Sequence, residues 1–315
     1  MPFHPQVAAN FAALAEQKLP KLTDMPPAQA RLEAARRRAG ANLLKEPIAH
    51  ISERLISGPG GDLSVRIYSH DQAELRGANA CPLLMVFHGG GWVYGSPESE
   101  DTTARGLANR TGALVVSVDY RLAPETCFPG AADDCYAATL WAIEHAHELG
   151  IDASRVAIAG TSAGGNLSAV VALMLRDRNG PKLKHQVLFN PVVDYNPQTP
   201  SYIANANGCG MTREDMLWYW DCYVPNRADR VHPYASPLRA EDLTNLPPAT
   251  IITAEFDVLR DEAETFASRL RDAGVDTQCT RYDGMVHGFN NQLGLYDCAT
   301  QALDEAGARL REAFA

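Results

Sequence analysis

From about residue 50 onward, short apolar and β-branched runs alternate with longer stretches whose apolar residues recur at helical spacing. The runs at 51–57, 63–68, 83–87, 113–119, 156–159, 186–190, 249–254 and 277–281 predict eight strands. Helical patterns at 99–111, 131–149, 164–178, 260–273 and 297–314 fall between most of the later ones. Such alternation implies βαβ units, so the predicted fold class is α/β: a mostly parallel eight-stranded sheet flanked by helices, with a helical cap. The first two runs, separated by Gly58-Pro59-Gly60-Gly61-Asp62, predict an antiparallel hairpin. On a sheet of this kind, functional residues belong just past the carboxyl ends of the strands.

Two stretches break the alternation. Residues 7–44 read as two helices, 7–18 and 28–44, interrupted by the segment 20–27 with its prolines. Residues 195–240 form a long connection rich in Pro and Asn that carries Trp218, Tyr219, Trp220 and Tyr223, and a connection of that length marks a lid or a binding insertion. The expected organisation is an N-terminal helical cap segment at 1–48, a catalytic domain at 49–194 and 241–315, and a second cap segment inserted at 195–240. Folded together over the strand ends, the two segments would present Phe11, Leu14, Trp218 and Tyr219 as an apolar wall for a substrate, with Trp92 added from the main domain. For each aromatic of the lid, packing in the lid's own small core is an equal alternative.

Composition narrows the function classes. The chain has 315 residues, 46% of them hydrophobic, enough for one large domain. A formal net charge of -10 offers nothing to phosphate backbones or anionic lipid, so no nucleic-acid partner is expected. The start MPFHPQVAANFAALAEQK has no basic head followed by an apolar run, and no later run nears the roughly 20 residues of a membrane span. A soluble, cytoplasmic protein is expected. Seven cysteines, an odd number without C-x-x-C spacing, suggest free thiols and neither a disulfide framework nor a zinc site.

The candidate chemistry begins at Gly160-Thr161-Ser162-Ala163-Gly164-Gly165, between a predicted strand and a predicted helix. In a strand-turn-helix elbow the glycines permit a strained backbone and close packing, which lifts the serine hydroxyl over the sheet edge at a helix N-terminus. An ordinary Gly/Ser turn is the rival reading, and the flanking elements favour a nucleophile. The Ala163 amide then faces the reacting centre and can donate to an oxyanion.

An activated serine needs a base and a group that orients the base, and elbow enzymes carry the acid before the histidine. Asp257 lies just past the run 249–254, whereas Asp261 and Glu262 look like first-turn residues of the next helix. His287, between Val286 and Gly288 in a loop after the last run, is the candidate base. The other histidines read as helix, strand or surface positions. His88-Gly89-Gly90-Gly91-Trp92 follows the run 83–87, and its consecutive glycines allow two backbone amides to face one point, so Gly89 and Gly90 are expected to join Ala163 as oxyanion donors. A phosphate cradle would need G-x-G-x-x-G or a Walker-type lysine, and neither is present. His88 reads as a structural imidazole holding the glycine loop.

HGGGW at 88–92, DYRLAPE at 119–125, GTSAGG at 160–165, DVLRDE at 257–262 and HGF at 287–289 together resemble the hormone-sensitive-lipase-like branch of the α/β-hydrolase superfamily, in its order and over roughly 50–312. The resemblance implies the α/β-hydrolase fold and a serine carboxylesterase without cofactor or metal, acting on short- to medium-chain acyl esters under a helical cap. It carries over Ser162, Asp257 and His287 as the triad. Val258 stands where many members have proline, and Thr161 where others have aspartate, which points to a GTSAGG sub-branch. Arg121 and Glu125, close together near a strand end, are expected to pair and pin their loop. The expected partner is a small-molecule ester, and a homodimer is the one assembly considered. A non-catalytic ligand receptor on the same fold would lack the histidine that is present here. An amidase or deacetylase with the same triad stays open as the alternative.

Overall fold

The computed structural model describes residues 2–70 and 80–315. Residues 71–79, inside the segment assigned to the catalytic domain, lie outside the described residues. The strands are β1 (His50–Gly58), β2 (Gly61–Ser69), β3 (Cys81–Phe87), β4 (Leu114–Asp119), β5 (Ile151–Thr161), β6 (His185–Phe189), β7 (Ala249–Phe256) and β8 (Thr277–Val286). They form one sheet in the order β1-β2-β4-β3-β5-β6-β7-β8. β1 and β2 pair antiparallel, β2 meets β4 antiparallel, and every other pairing is parallel.

The helices are α1 (Pro5–Glu16), α2 (Pro27–Gly40), α3 (Asp101–Thr111), α4 (Gly130–Glu144), α5 (Ala146–Leu149), α6 (Ala163–Asp177), α7 (Pro200–Ala204), α8 (Arg213–Tyr223), α9 (Arg260–Asp272) and α10 (Asp297–Phe314). The central strands are apolar on both faces because helices cover both. Leu83, Met85 and Phe87 of β3 pack with Val116 and Val118 of β4 and with Leu167, Leu173 and Phe266 from α6 and α9. Leu84 and Val86 point the other way, into a second core with Val115, Leu107 of α3 and Leu303 and Leu310 of α10. This period of two is the strand pleat itself.

Several elements differ in extent from their sequence patterns, for local reasons. The single helix expected at 131–149 is two, broken at His145, whose imidazole donates to the Trp141 carbonyl at 2.8 Å. α2 stops at Gly40 rather than at 44, because the chain turns extended at Ala41 and the Leu44 amide donates to Leu293 O at 2.8 Å. β8 runs on to Val286, five residues past its pattern, its Gly284 amide donating to Glu255 Oε2 at 2.7 Å. Among the described residues no helix is long and apolar enough to cross a membrane.

Candidate active site

Each group of the site hangs from a strand's carboxyl end. Ser162 follows β5 and holds φ 59°, ψ -116° before α6 begins. A non-glycine residue in that region costs about 1–3 kcal/mol, which the surroundings must hold in place. They do so by close packing: a Cβ on Gly160 would overlap the Gly164 carbonyl, and one on Gly164 would overlap the Phe87 carbonyl. Glycine at both positions lets the strand, the turn and β3 nest, and the Ser162 amide donates to Phe189 O at 2.8 Å.

Ser162 Oγ donates to His287 Nε2 at 2.9 Å, and His287 Nδ1 donates to Asp257 Oδ2 at 2.7 Å. Asp257, directly after β7, is 1% exposed and also accepts the Leu259 amide at 3.0 Å through Oδ1. His287 directly follows β8, and the Gly288 amide beside it donates to Asn190 Oδ1 at 3.1 Å. The neighbouring acids are otherwise engaged. Asp261 accepts the Ser201 amide at 2.7 Å, and Glu262 accepts the amides of Val193 and Asp194 at 2.8 and 3.2 Å. Serine, imidazole and carboxylate thus form one hydrogen-bonded line able to move a proton off the hydroxyl.

The glycine loop departs from its expected arrangement at one residue. The Gly89 amide already has an acceptor, Glu100 Oε2 at 3.4 Å. The amides of Gly90 and Gly91 donate to no acceptor among the described residues, and both glycines line the cavity beside Ser162. The pair of amides free to meet a charge is therefore Gly90 and Gly91, together with Ala163 at the head of α6. Glu100 is fully buried, and desolvation pushes its pKa up. It accepts the Thr161 hydroxyl at 2.8 Å, so this glutamate braces the elbow and the glycine loop together. His88 braces the loop from the other side. Its ring stacks on Tyr120 at 4.0 Å, Nδ1 donates to Gly89 O at 2.8 Å, and burial pulls its pKa down to about 4, leaving a neutral imidazole.

The cavity over Ser162 measures about 1080 Å³ and is walled by residues 19–23 and 31–45 on one side and by Gly210, Met211, Asp215 and Tyr219 on the other. Of the five residues expected in its apolar wall, Tyr219 is there and four are not. Trp92 is fully buried, stacked on Tyr223 at 4.3 Å and tilted against Trp220 at 5.2 Å. Trp218 precedes Tyr219 on α8, and the 100° step between helical neighbours turns it away. Phe11 meets Phe3 at 5.4 Å, and Phe3 in turn meets Phe256, on the outer side of β7 and β8. Leu14 is 43% exposed. Neither Phe11 nor Leu14 lines the cavity, although the Phe11 ring stands just behind Gly210, which does.

Arg121 and Glu125 also do not pair. Arg121 makes a fork to Asp134, at 2.7 and 2.8 Å. Glu125 meets Arg31 of α2, whose guanidinium also donates to Val93 O and Ala123 O, at 2.7 Å each. Arg31 therefore ties the N-terminal segment to the loops beside the glycines. Nothing in the spacing of Arg31 signals this, since its acceptors, two backbone carbonyls and the Glu125 carboxylate, lie far along the chain.

A family model described as an alpha/beta hydrolase fold matches residues 84–291. The chain is 41% identical to an arylesterase of Saccharolobus solfataricus over 271 residues, 86% of each chain. It is 39% identical to a carboxylesterase of Mycobacterium tuberculosis over 272 residues, covering 85% of this chain and 84% of the relative. A thermostable esterase from Pseudomonas putida superposes with a TM-score of 0.94 at 37% identity, over all of this chain and 98% of that one.

Proposed function

This chain belongs to the α/β-hydrolase family, and from that premise we propose that it is a carboxylic ester hydrolase working through Ser162, His287 and Asp257. The observation that carries the proposal is the unbroken line from Ser162 Oγ through the imidazole to Asp257, at 2.9 and 2.7 Å. His287 Nε2 takes the hydroxyl proton as the serine oxygen attacks the ester carbonyl, and Asp257 orients the ring and stabilises its cation. The carbonyl oxygen, now charged, is met by the amides of Gly90, Gly91 and Ala163. Collapse of the intermediate expels the alcohol, which receives the proton from His287. Water, deprotonated by the same imidazole, then attacks the acyl-serine and releases the acid.

The substrates are short- to medium-chain acyl esters. Leu19, Leu22, Leu43 and Met211 supply apolar wall, but Arg37, Arg38, Asp215 and Glu98 interrupt it. Each added methylene contributes about 0.8 kcal/mol while it finds apolar surface and nothing useful beyond it. The cap is formed by residues 19–45 and 210–219, narrower than the whole segments 1–48 and 195–240. The test is a series of p-nitrophenyl esters from acetyl to dodecanoyl, run with the wild type and with Ser162→Ala. The variant should lose about 10⁴- to 10⁶-fold in kcat while keeping its fold. A variant retaining a tenth of the activity would remove Ser162 from the nucleophile's role, and rising efficiency out to dodecanoyl would overturn the chain-length reading.

A further inference from the structure

Tyr94, three residues past Gly91, and Tyr219 of α8 line the cavity together and are hydrogen-bonded to each other through their hydroxyls. Tyr219 is 5% exposed, and its ring lies so close over Gly91 that a Cβ there would enter it. A Cβ on Gly90 would likewise overlap the Tyr94 carbonyl. The two tyrosines thus stand directly against the two glycines whose amides have no acceptor among the described residues.

Two hydroxyls carry two protons, and a bond between them uses one. Whichever tyrosine accepts still has its own O–H to place, and neither hydroxyl has a second partner among the described residues. The charged groups on that wall that act on the pair are Asp215 and Arg37. Asp215 is already occupied, accepting the Thr23 hydroxyl at 2.9 Å and the Thr212 amide and hydroxyl at 2.9 and 2.7 Å. Arg37 is held by Glu33 and by Pro20 O. A buried donor without a partner costs about 1–3 kcal/mol once water is excluded, so a substrate that fills the cavity beside the two tyrosines is bound better if it brings an acceptor.

We propose that the Tyr94–Tyr219 pair is a hydrogen-bond-donating subsite that selects esters carrying a neutral acceptor, such as an ether, hydroxyl or carbonyl oxygen, a few atoms from the scissile bond. The inference rests on the ester-hydrolase reading and names a substrate class for it. It differs from a purely mechanical latch between α8 and the glycine loop, which would treat an alkyl chain and its oxygen-bearing isostere alike.

The experiment uses two isosteric pairs. On the acyl side these are p-nitrophenyl pentanoate and p-nitrophenyl 3-methoxypropanoate, and on the alcohol side butyl acetate and 2-methoxyethyl acetate. The readout is the ratio of kcat/KM for the methoxy ester to that for its alkyl partner, divided by the same ratio for hydroxide-catalysed hydrolysis. The wild type should favour the methoxy ester in one pair, and the pair that responds tells which side of the ester lies beside the tyrosines. Tyr219→Phe and Tyr94→Phe each leave one O–H behind and should keep part of the preference. The double Tyr94→Phe/Tyr219→Phe variant should lose it, a fall of about 3- to 10-fold in the ratio. A wild type without preference in either pair overturns the inference even if the double variant fails to fold, and a ratio unchanged in the folded double variant does the same. If neither pair is hydrolysed by the wild type, with the p-nitrophenyl series equally inert, it is the ester-hydrolase reading that has failed.

Discussion

Replacing Arg31 by Ala should release α2 from the body of the enzyme, and the structure says how strongly. The side chain makes two kinds of bond. Its ion pair with Glu125 joins groups that are 26% and 60% exposed, and exposed pairs contribute about 0–1 kcal/mol. Its bonds to the carbonyls of Val93 and Ala123, at 2.7 Å each, are charge-assisted and half-buried. Hydrogen bonds to charged groups contribute roughly 1.5–3 kcal/mol each, and partial access of water to both carbonyls brings the expected total down to about 2 kcal/mol. At about 1.4 kcal/mol per factor of ten, the undocked population of α2 should rise on the order of 30-fold. Hydrogen exchange of the α2 amides, read by mass spectrometry, measures that ratio directly, and kcat/KM should fall because residues 31–45 wall the cavity. Glu125→Gln should change exchange less than about fivefold. Equal effects from the two substitutions would refute the reasoning, since they would mean that the ion pair and not the carbonyl bonds holds the segment.

Glu262 is fully buried, burial pushes its pKa up, and its Oε1 accepts two backbone amides, an acceptor that Glu262→Gln keeps and Glu262→Ala removes. Glu262→Ala strands the amides of Val193 and Asp194 and should cost more than Glu262→Gln in urea unfolding; equal losses would refute the role of those two bonds. Burial lowers the pKa of His88 and of His185 from 6.5 to about 4, so between those values the unfolded chain binds protons that the folded chain refuses. Their contribution is therefore complete above pH 6.5 and drains away as pH falls toward 4. Glu100 and Glu262, raised by burial, act in the opposite sense in wild type and variant alike. His185→Leu should thus shrink the stability lost between pH 7 and pH 5, and an undiminished loss would count against a neutral buried His185. Gly164→Ala forces a methyl onto the Phe87 carbonyl and should abolish activity and lower the yield of folded protein; an active, well-folded variant would show the elbow to be looser than its packing.

How far the site could be read from the chain depends on the range of each cause. Strand, tight turn and helix around Ser162 are local, and so is the position of Asp257 and His287 just past apolar runs. The pattern therefore picks out the residues that the fold brings into line. The direction of an amide is set by the path of the loop in space, so spacing could not tell that the Gly89 amide meets Glu100 while Gly91 lines the cavity. Apolar character alone also fails to separate a side chain that packs against protein from one that waits for a ligand. Trp92 and Trp218 have the composition of a pocket and the surroundings of a core. Tyr94 carried no signal at all, because its importance comes from meeting Tyr219 across 125 positions. The same distance effect hides Arg31.

The order of the strands bears on how this enzyme would age. Ser162 leaves an interior strand, held on both sides, whereas His287 leaves β8, which has one strand neighbour and lies at the sheet's edge. Beyond β7, that edge near the base is held by the His4 amide donating to Gly284 O at 3.0 Å, by the Gly288 amide bonded to Asn190, and by Met285 and Val286 buried in the second core. An edge strand loosens before a central one does. On prolonged warming the imidazole would then slip out of line while the rest of the sheet stays whole. Shelf life, measured as lost turnover, would report the wear of a single strand.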